Sequence, residues 1–384
     1  MIDNYMAYNF FHNLRGDKML KFLSYLSVQQ ENSSFCYRFE TAIIEAYLMW
    51  RRKKNDWSHI DRILECGNPQ FEDPQERLFV ETVHTPIGSY KVFSAFYLTH
   101  KFLLSQLLFL SQKEKIDQSK LALVYTILEI SNVIADRYNY SRNICGKYNA
   151  ENVYTSNYRE YGNCESYNCL SEVDIKTIFA KYKVDEKFFQ SLILSLRRNE
   201  YKKELSQLGH CDTFELHPFL KLNSGEYLVL FPANLLRLAY KFCYGILVKE
   251  LGEKNLFMLI EDEMIQETGF ILQSALGVYG GRNNYQNIPF LLFRFDEDKI
   301  ANVAIVLSDK RTNLDQAIKD SEAALNKAYP NKTIFTFLVT QEMAEEGFFM
   351  TVSRDITHFS VEELKIVMNH DLSLIHISEP TRPY

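Results

Sequence analysis

Near residue 213 the apolar residues of this 384-residue chain change their spacing, and that change constrains the fold more than any other feature. Before it, the spacing is three and four. Met19, Leu20, Phe22, Leu23 and Leu26 line one face of a short helix, and Phe39, Ile43, Ile44, Tyr47 and Leu48 line the next. Further amphipathic helices fit residues 57–66, 90–111 and 120–138, with a short strand at 78–83 that ends at Pro86-Ile87-Gly88. Ser171-Glu172-Val173-Asp174 has the form of a capping box and predicts a helix starting at Glu172. Asp185 caps a second helix predicted to run to about Asn199.

After residue 213 extended runs alternate with helices. Residues 214–222 and 227–231 flank Asn223-Ser224-Gly225-Glu226, a hairpin signal. Pro232 suits the first turn of a helix, where its missing N–H costs nothing, and predicts a helix over 233–251. A second helix, 253–276, stops at Gly277. Strands follow at 289–295, 300–307 and 333–340, with a charged turn at 296–299 and a helix at 313–329; 348–352 reads as a final strand and Ser360 as the start of a last helix. The expected class is α+β: a mainly helical N-terminal half, then an α/β half with a small mixed or antiparallel sheet. No internal repeat is visible.

The expected domains are a helical region (1–137), a Tyr/Asn-rich loop or insert (138–170), helices with a hairpin as a connecting region (171–251), and an acidic α+β domain (252–371). The stretch 138–170 exceeds the roughly 12–15 residues of an ordinary loop. Residues 372–384 stand apart. Leu372-Ser373-Leu374-Ile375-His376-Ile377-Ser378-Glu379-Pro380-Thr381-Arg382 resembles the in-frame translation of a transposon-end adapter from sequencing libraries. The expectation is a non-native tail, with the natural chain continuing beyond about Asp371.

At 46% hydrophobic and 24% charged residues the composition is that of an ordinary globular protein. The net charge of -6 is unevenly placed: residues 250–371 hold 20 acidic and 11 basic side chains, against 28 and 31 before them. That distribution lacks the broad basic footprint on which non-specific nucleic-acid binding depends. Seven scattered cysteines read as free thiols in a reducing cytosol, and the N-terminus has no signal-peptide pattern. The greasiest segment, 92–110, is interrupted by His100, Lys101 and Gln106, so no membrane span is expected.

Phosphate-loop, dinucleotide, zinc-protease and serine-hydrolase signatures are absent from the sequence. Gly277-Val278-Tyr279-Gly280-Gly281 follows a helix and reads as its stop signal. Cys164 and Cys169 are weak zinc candidates, because a structural site needs four convergent ligands. The two helices expected between Glu172 and Asn199 have a helix-turn-helix rhythm, but the second is too apolar to read base edges. Only Arg197, Arg198, Lys202 and Lys203 at its end could meet phosphates, and Arg51-Arg52-Lys53-Lys54 reads as the solvated close of a helix.

The order helix, strand, strand, helix, strand in the acidic half resembles the core of restriction-endonuclease-like nucleases. That resemblance implies a divalent ion, Mg2+ or Mn2+, held by carboxylates beside a lysine that positions water. Candidate residues are Asp296, Glu297, Lys299, Asp309 and Glu263, with Glu267 as a further helix carboxylate. Glu297-Asp298-Lys299 has the acidic-x-Lys letters, yet it falls in the predicted turn, where charge is expected for solvation alone. The expected function is therefore that of a cytoplasmic, bacterial protein that works through contacts with protein partners without catalysis or cofactors, a role suited to 14% aromatic residues. The alternative is a metal-dependent nuclease, the one reading in which nucleic acid is the partner.

Overall fold

The structure, a computed structural model, describes residues 12–28, 33–65, 80–93, 98–138, 165–208, 211–276, 278–307, 313–340, 358–361 and 364. Its class is α+β, and it divides into two compact units, Met1–Ile246 and Leu247–Tyr384.

The first unit begins with α1 (Asp17–Ser27), α2 (Ser33–Arg51) and α3 (Trp57–Glu65). The apolar face read from α1 is buried almost completely, with Leu20, Phe22, Leu23 and Leu26 at 0% exposure. Full burial of such side chains contributes about 1.5–3 kcal/mol each. A hairpin follows, β1 (Val80–Thr85) with β2 (Gly88–Phe93), then α4 (Leu98–Lys113), a 3-10 turn (Gln118–Leu121) and α5 (Ala122–Arg137). Tyr90–Phe93, expected to open a helix, lies instead in β2. Its Tyr90, Val92 and Phe93 are buried while Ser89 and Lys91 are exposed, an alternation of period two within a stretch that also satisfies a helical count.

Next come β3 (Cys169–Leu170), α6 (Glu172–Lys181), α7 (Lys187–Ser191), α8 (Arg198–Leu208), α9 (Asp212–Leu216), β4 (Phe219–Lys221), β5 (Tyr227–Val229) and α10 (Asn234–Leu251), which contains the boundary between units. The capping box forms as read: the Asp174 N–H donates to the Ser171 hydroxyl at 3.1 Å, and the Ser171 N–H donates to the Asp174 carboxylate at 2.9 Å. The single helix expected from Asp185 to Asn199 does not form. Asp185 does accept from the Lys187 N–H at 2.9 Å, but the helix stops at Ser191 and the chain then runs beside β4. Leu194 donates to the Phe219 carbonyl at 2.7 Å, so inter-segment bonding wins over local helical propensity there. Strands β3, β5 and β4 form an antiparallel sheet in that order. A buried chain of polar groups fixes α1 on it, with Ser24 donating to the Val229 carbonyl (2.7 Å), Asn168 to Ser24 (2.8 Å) and Tyr138 to Asn168 (2.7 Å).

The second unit contains α11 (Glu253–Leu276), a meander of β6 (Val278–Tyr285), β7 (Ile288–Asp296) and β8 (Lys299–Val306), then α12 (Leu314–Ala328), β9 (Thr333–Thr340) and β10 (His358–Ser360). The five-stranded sheet has the order β10-β9-β8-β7-β6, antiparallel from β6 to β8 and parallel from β8 to β10. Helix α12 is the crossover that lets β8 and β9 run parallel. Ile288, Phe290, Ala304, Val306 and Leu338 meet Leu314, Ala317 and Ile318 of that helix in one apolar cluster. On the other face a β-carbon at Gly269 of α11 would stand 4.0 Å from Leu291, so β7 and β8 are covered on both sides.

One element of this unit differs from expectation. Gly280 and Gly281 lie inside β6, at a bulge of this edge strand, so of that glycine cluster these two are strand residues and not part of a helix stop. Ser360 ends β10 and Val361 directly after it is helical, in keeping with the helix start read at Ser360. The strand expected at 348–352 lies outside the described residues. Among the described residues, no helix is long and apolar enough to cross a membrane.

Candidate functional site

Two basic runs far apart in sequence, beginning at Arg51 and at Arg197, meet in the first unit. Helix α2 ends in a paired C-terminal bond pattern: Lys53 donates to the Trp50 carbonyl and Lys54 to the Met49 carbonyl, each at 3.0 Å, with Lys53 left-handed at φ 54°. That turn satisfies the helix carbonyls and leaves Arg51 and Arg52 at the last exposed positions. Facing them, the extended segment that follows α7 delivers Arg197 and Arg198 to the first turn of α8.

Tyr47 joins the two walls. Its hydroxyl accepts the Leu196 N–H at 3.2 Å and lies 3.4 Å from the Leu194 carbonyl, to which it donates. Arg51 donates to the Leu196 carbonyl at 2.6 Å, with its guanidinium 5.8 Å from the Tyr47 ring centre. Because Tyr47 and Leu196 are buried, these bonds are shielded from water and hold the walls at a fixed spacing.

Between the walls is a cleft of about 480 Å³, within the range of small-ligand sites. Leu48 and Leu196 supply its apolar lining, and Arg51, Arg52, Arg197 and Arg198 its charge. Among the described residues Glu200 is the one acidic lining residue, and its carboxylate accepts the Arg197 N–H at 2.7 Å. Arg198 lies 4.0 Å from Glu45; among the described residues, Arg51, Arg52 and Arg197 have no carboxylate within ion-pair distance. The cleft therefore carries uncompensated positive charge beside the positive end of a helix, a combination suited to an anion.

A second charged cluster lies in the interior of the same unit. Glu215 is 1% exposed and pairs with both Arg237 and Lys241, and Lys241 also reaches Asp212 at 3.1 Å. Burial, reinforced by the Glu215 carboxylate and partly offset by Arg237, pushes the Glu40 carboxyl up to about 7. These groups join α2, α9 and α10.

The residues proposed from sequence for metal chemistry are arranged differently. Asp296 pairs with Lys299 across the β7–β8 turn, whose tip, Glu297 and Asp298, is exposed. The backbone there serves the neighbouring strand: Lys332 donates to the Glu297 carbonyl, and Thr333 to the Asp298 carbonyl at 2.7 Å. Lys299 is half-buried at the first position of β8, and Glu263 and Glu267 are half-buried on α11. Asp309 lies outside the described residues. In the middle of β8 the buried position facing α12 is Asn302, which donates to Thr336 and accepts from Ser321, each at 3.1 Å.

Cys164 also lies outside the described residues, whereas Cys169 is a buried free thiol in β3 whose burial pushes its pKa up to about 12. Among the described residues, no three His, Cys, Asp or Glu side chains are placed to share a metal ion. Each basic run has a local explanation when taken alone in the sequence. The missing signal was their convergence, which depends on the Leu194–Phe219 pairing and on Tyr47. No protein family, no curated protein and no solved structure matches this chain.

Proposed function

We propose that the protein works by binding, without catalysis, and that the arginine cleft takes an anionic group carried by a partner protein. The observation that supports this reading is the convergence of Arg51, Arg52, Arg197 and Arg198 around one cleft, where the carboxylates nearby are Glu200 in the lining and Glu45 beside Arg198. Arginine is enriched in protein interfaces and prominent among their energetic hot spots. An acidic peptide titrated against the protein tests it. The wild type binds with an affinity that falls as salt is raised, and the double reversal Arg52→Glu with Arg197→Glu weakens binding by at least about tenfold, or 1.4 kcal/mol. Affinity unchanged by the double reversal would exclude the cleft.

The metal-dependent nuclease is the second reading, favoured by the element order of the second unit: a helix, three antiparallel strands, a crossover helix and a parallel strand. In it Asp296, Glu297, Lys299, Asp309 and Glu263 would hold Mg2+ or Mn2+ and water. It predicts cleavage of plasmid or single-stranded DNA with either ion, abolished by Asp309→Ala. Stable DNA under both conditions removes it.

A further inference from the structure

We infer that the anionic group is a phosphate monoester on a side chain of the partner, held between Arg52 and Arg197 at the N-terminus of α8. This rests on the anion-binding reading of the cleft and narrows it to one chemistry.

The choice of cation is the first indication. Lysines adjoin both basic runs, at Lys53, Lys54, Lys202 and Lys203, yet among the described residues every cation lining the cleft is an arginine. A guanidinium offers a planar fork that matches two phosphate oxygens at once, which an ammonium cannot do. Helix α8 is 11 residues long and starts at Arg198, so its first turn lies in the cleft wall beside those forks.

Glu200 is the second indication. It places one carboxylate in the cleft, bound at 2.7 Å to the Arg197 N–H. A carboxylate ligand would add a single further charge against four cations already facing two, Glu200 and, beside Arg198, Glu45. A phosphate monoester brings close to two charges and three acceptor oxygens at neutral pH, so it matches the remaining charge better.

The form of the ligand follows from the lining and from the charge of the chain. Leu48 and Leu196 offer apolar contact for a neighbouring side chain, and among the described residues the lining has no aromatic ring on which a base could stack. The net charge of -6 supplies no long basic track for a polynucleotide. A phosphorylated protein segment, read by an arginine cluster, satisfies both conditions.

The test uses the full chain and four fluorescent probes followed by anisotropy: one peptide sequence carrying phosphoserine, glutamate or serine, and an oligouridylate of similar length. The expected result is that the phosphoserine peptide binds about tenfold or more tightly than the glutamate peptide, with serine and oligouridylate weaker still. Arg52→Glu and Arg197→Glu each remove most of that binding, and Glu200→Gln strengthens it severalfold. Comparing the peptides on the wild type needs no variant, so it decides the matter even if one variant folds poorly. Equal affinity for phosphoserine and glutamate, still lost in Arg52→Glu, overturns the phosphate assignment and leaves the anion-binding reading in place. Tightest binding of oligouridylate overturns the assignment in favour of nucleic acid. No binding of any probe, or binding indifferent to both arginines, overturns both.

Discussion

Arg52 and Arg197 illustrate what a residue's chemistry does and does not reveal on its own. Each ends or begins a helix, where charge has a local explanation, and only the fold makes them face the same space. The capping residues Ser171 and Asp174 are the opposite case, because their bonds span three positions and so are written in the local sequence. Glu40 was not legible at all: nothing near it in sequence announces that Glu215 and Arg237 will surround it. Its titration has a definite sign. The folded state keeps the proton up to about 7, against 4.5 for the ordinary carboxyl, so folding takes up a proton between those values. The Glu40 contribution is therefore complete below about 4.5 and declines as pH rises through about 7, by on the order of 3 kcal/mol. Urea unfolding of wild type and Glu40→Gln across that window should show the wild type losing stability relative to the variant as pH rises. Parallel curves would contradict the assignment. Beside it, Glu215→Gln leaves Arg237 and Lys241 without their shared buried partner and should destabilise the protein by about 3 kcal/mol in the same measurement.

Helix ends are marked unevenly at the level of elements. Helices α2, α4 and α6 are each followed by a left-handed lysine, Lys53, Lys115 and Lys183, with φ of 54°, 56° and 57°. Glycine is the usual marker of that position, so the signal lay elsewhere, as in the basic run Arg51-Arg52-Lys53-Lys54 that closes α2. Lys53→Gly relieves the conformational cost and should stabilise the protein by about 0.5–1 kcal/mol, read as a higher denaturation midpoint. An unchanged or lower midpoint would mean that Lys53 is bound by more than its backbone. Strand β6 escaped reading for a related reason. Its Gly280, Gly281, Asn283 and Asn284 have loop composition, and as an edge strand it needs no apolar face on every second residue. Strand β8, buried after its first residue, and strand β9, buried in its second half, are rich in β-branched residues and were visible to within one residue.

For the molecule as a whole, the change of spacing near residue 213 correctly foretold the α+β class, because burial on one helical stripe and burial across a sheet leave different periods. The site was much less legible, since it is assembled from α2 and the start of α8 through contacts that no local pattern encodes. Charge distribution sharpens the expectation for partners. With 20 acidic and 11 basic residues from 250 to 371, long duplex DNA should show no shift in gel mobility at physiological salt, whereas a shift would contradict a single compact anion site. The most direct measurement of the central claim is hydrogen–deuterium exchange of the full chain with and without the phosphoserine peptide. The account predicts slowed exchange concentrated at residues 48–52 and 196–200. Exchange unchanged there, with protection appearing instead around residues 296–299 on addition of Mn2+ and DNA, would contradict it.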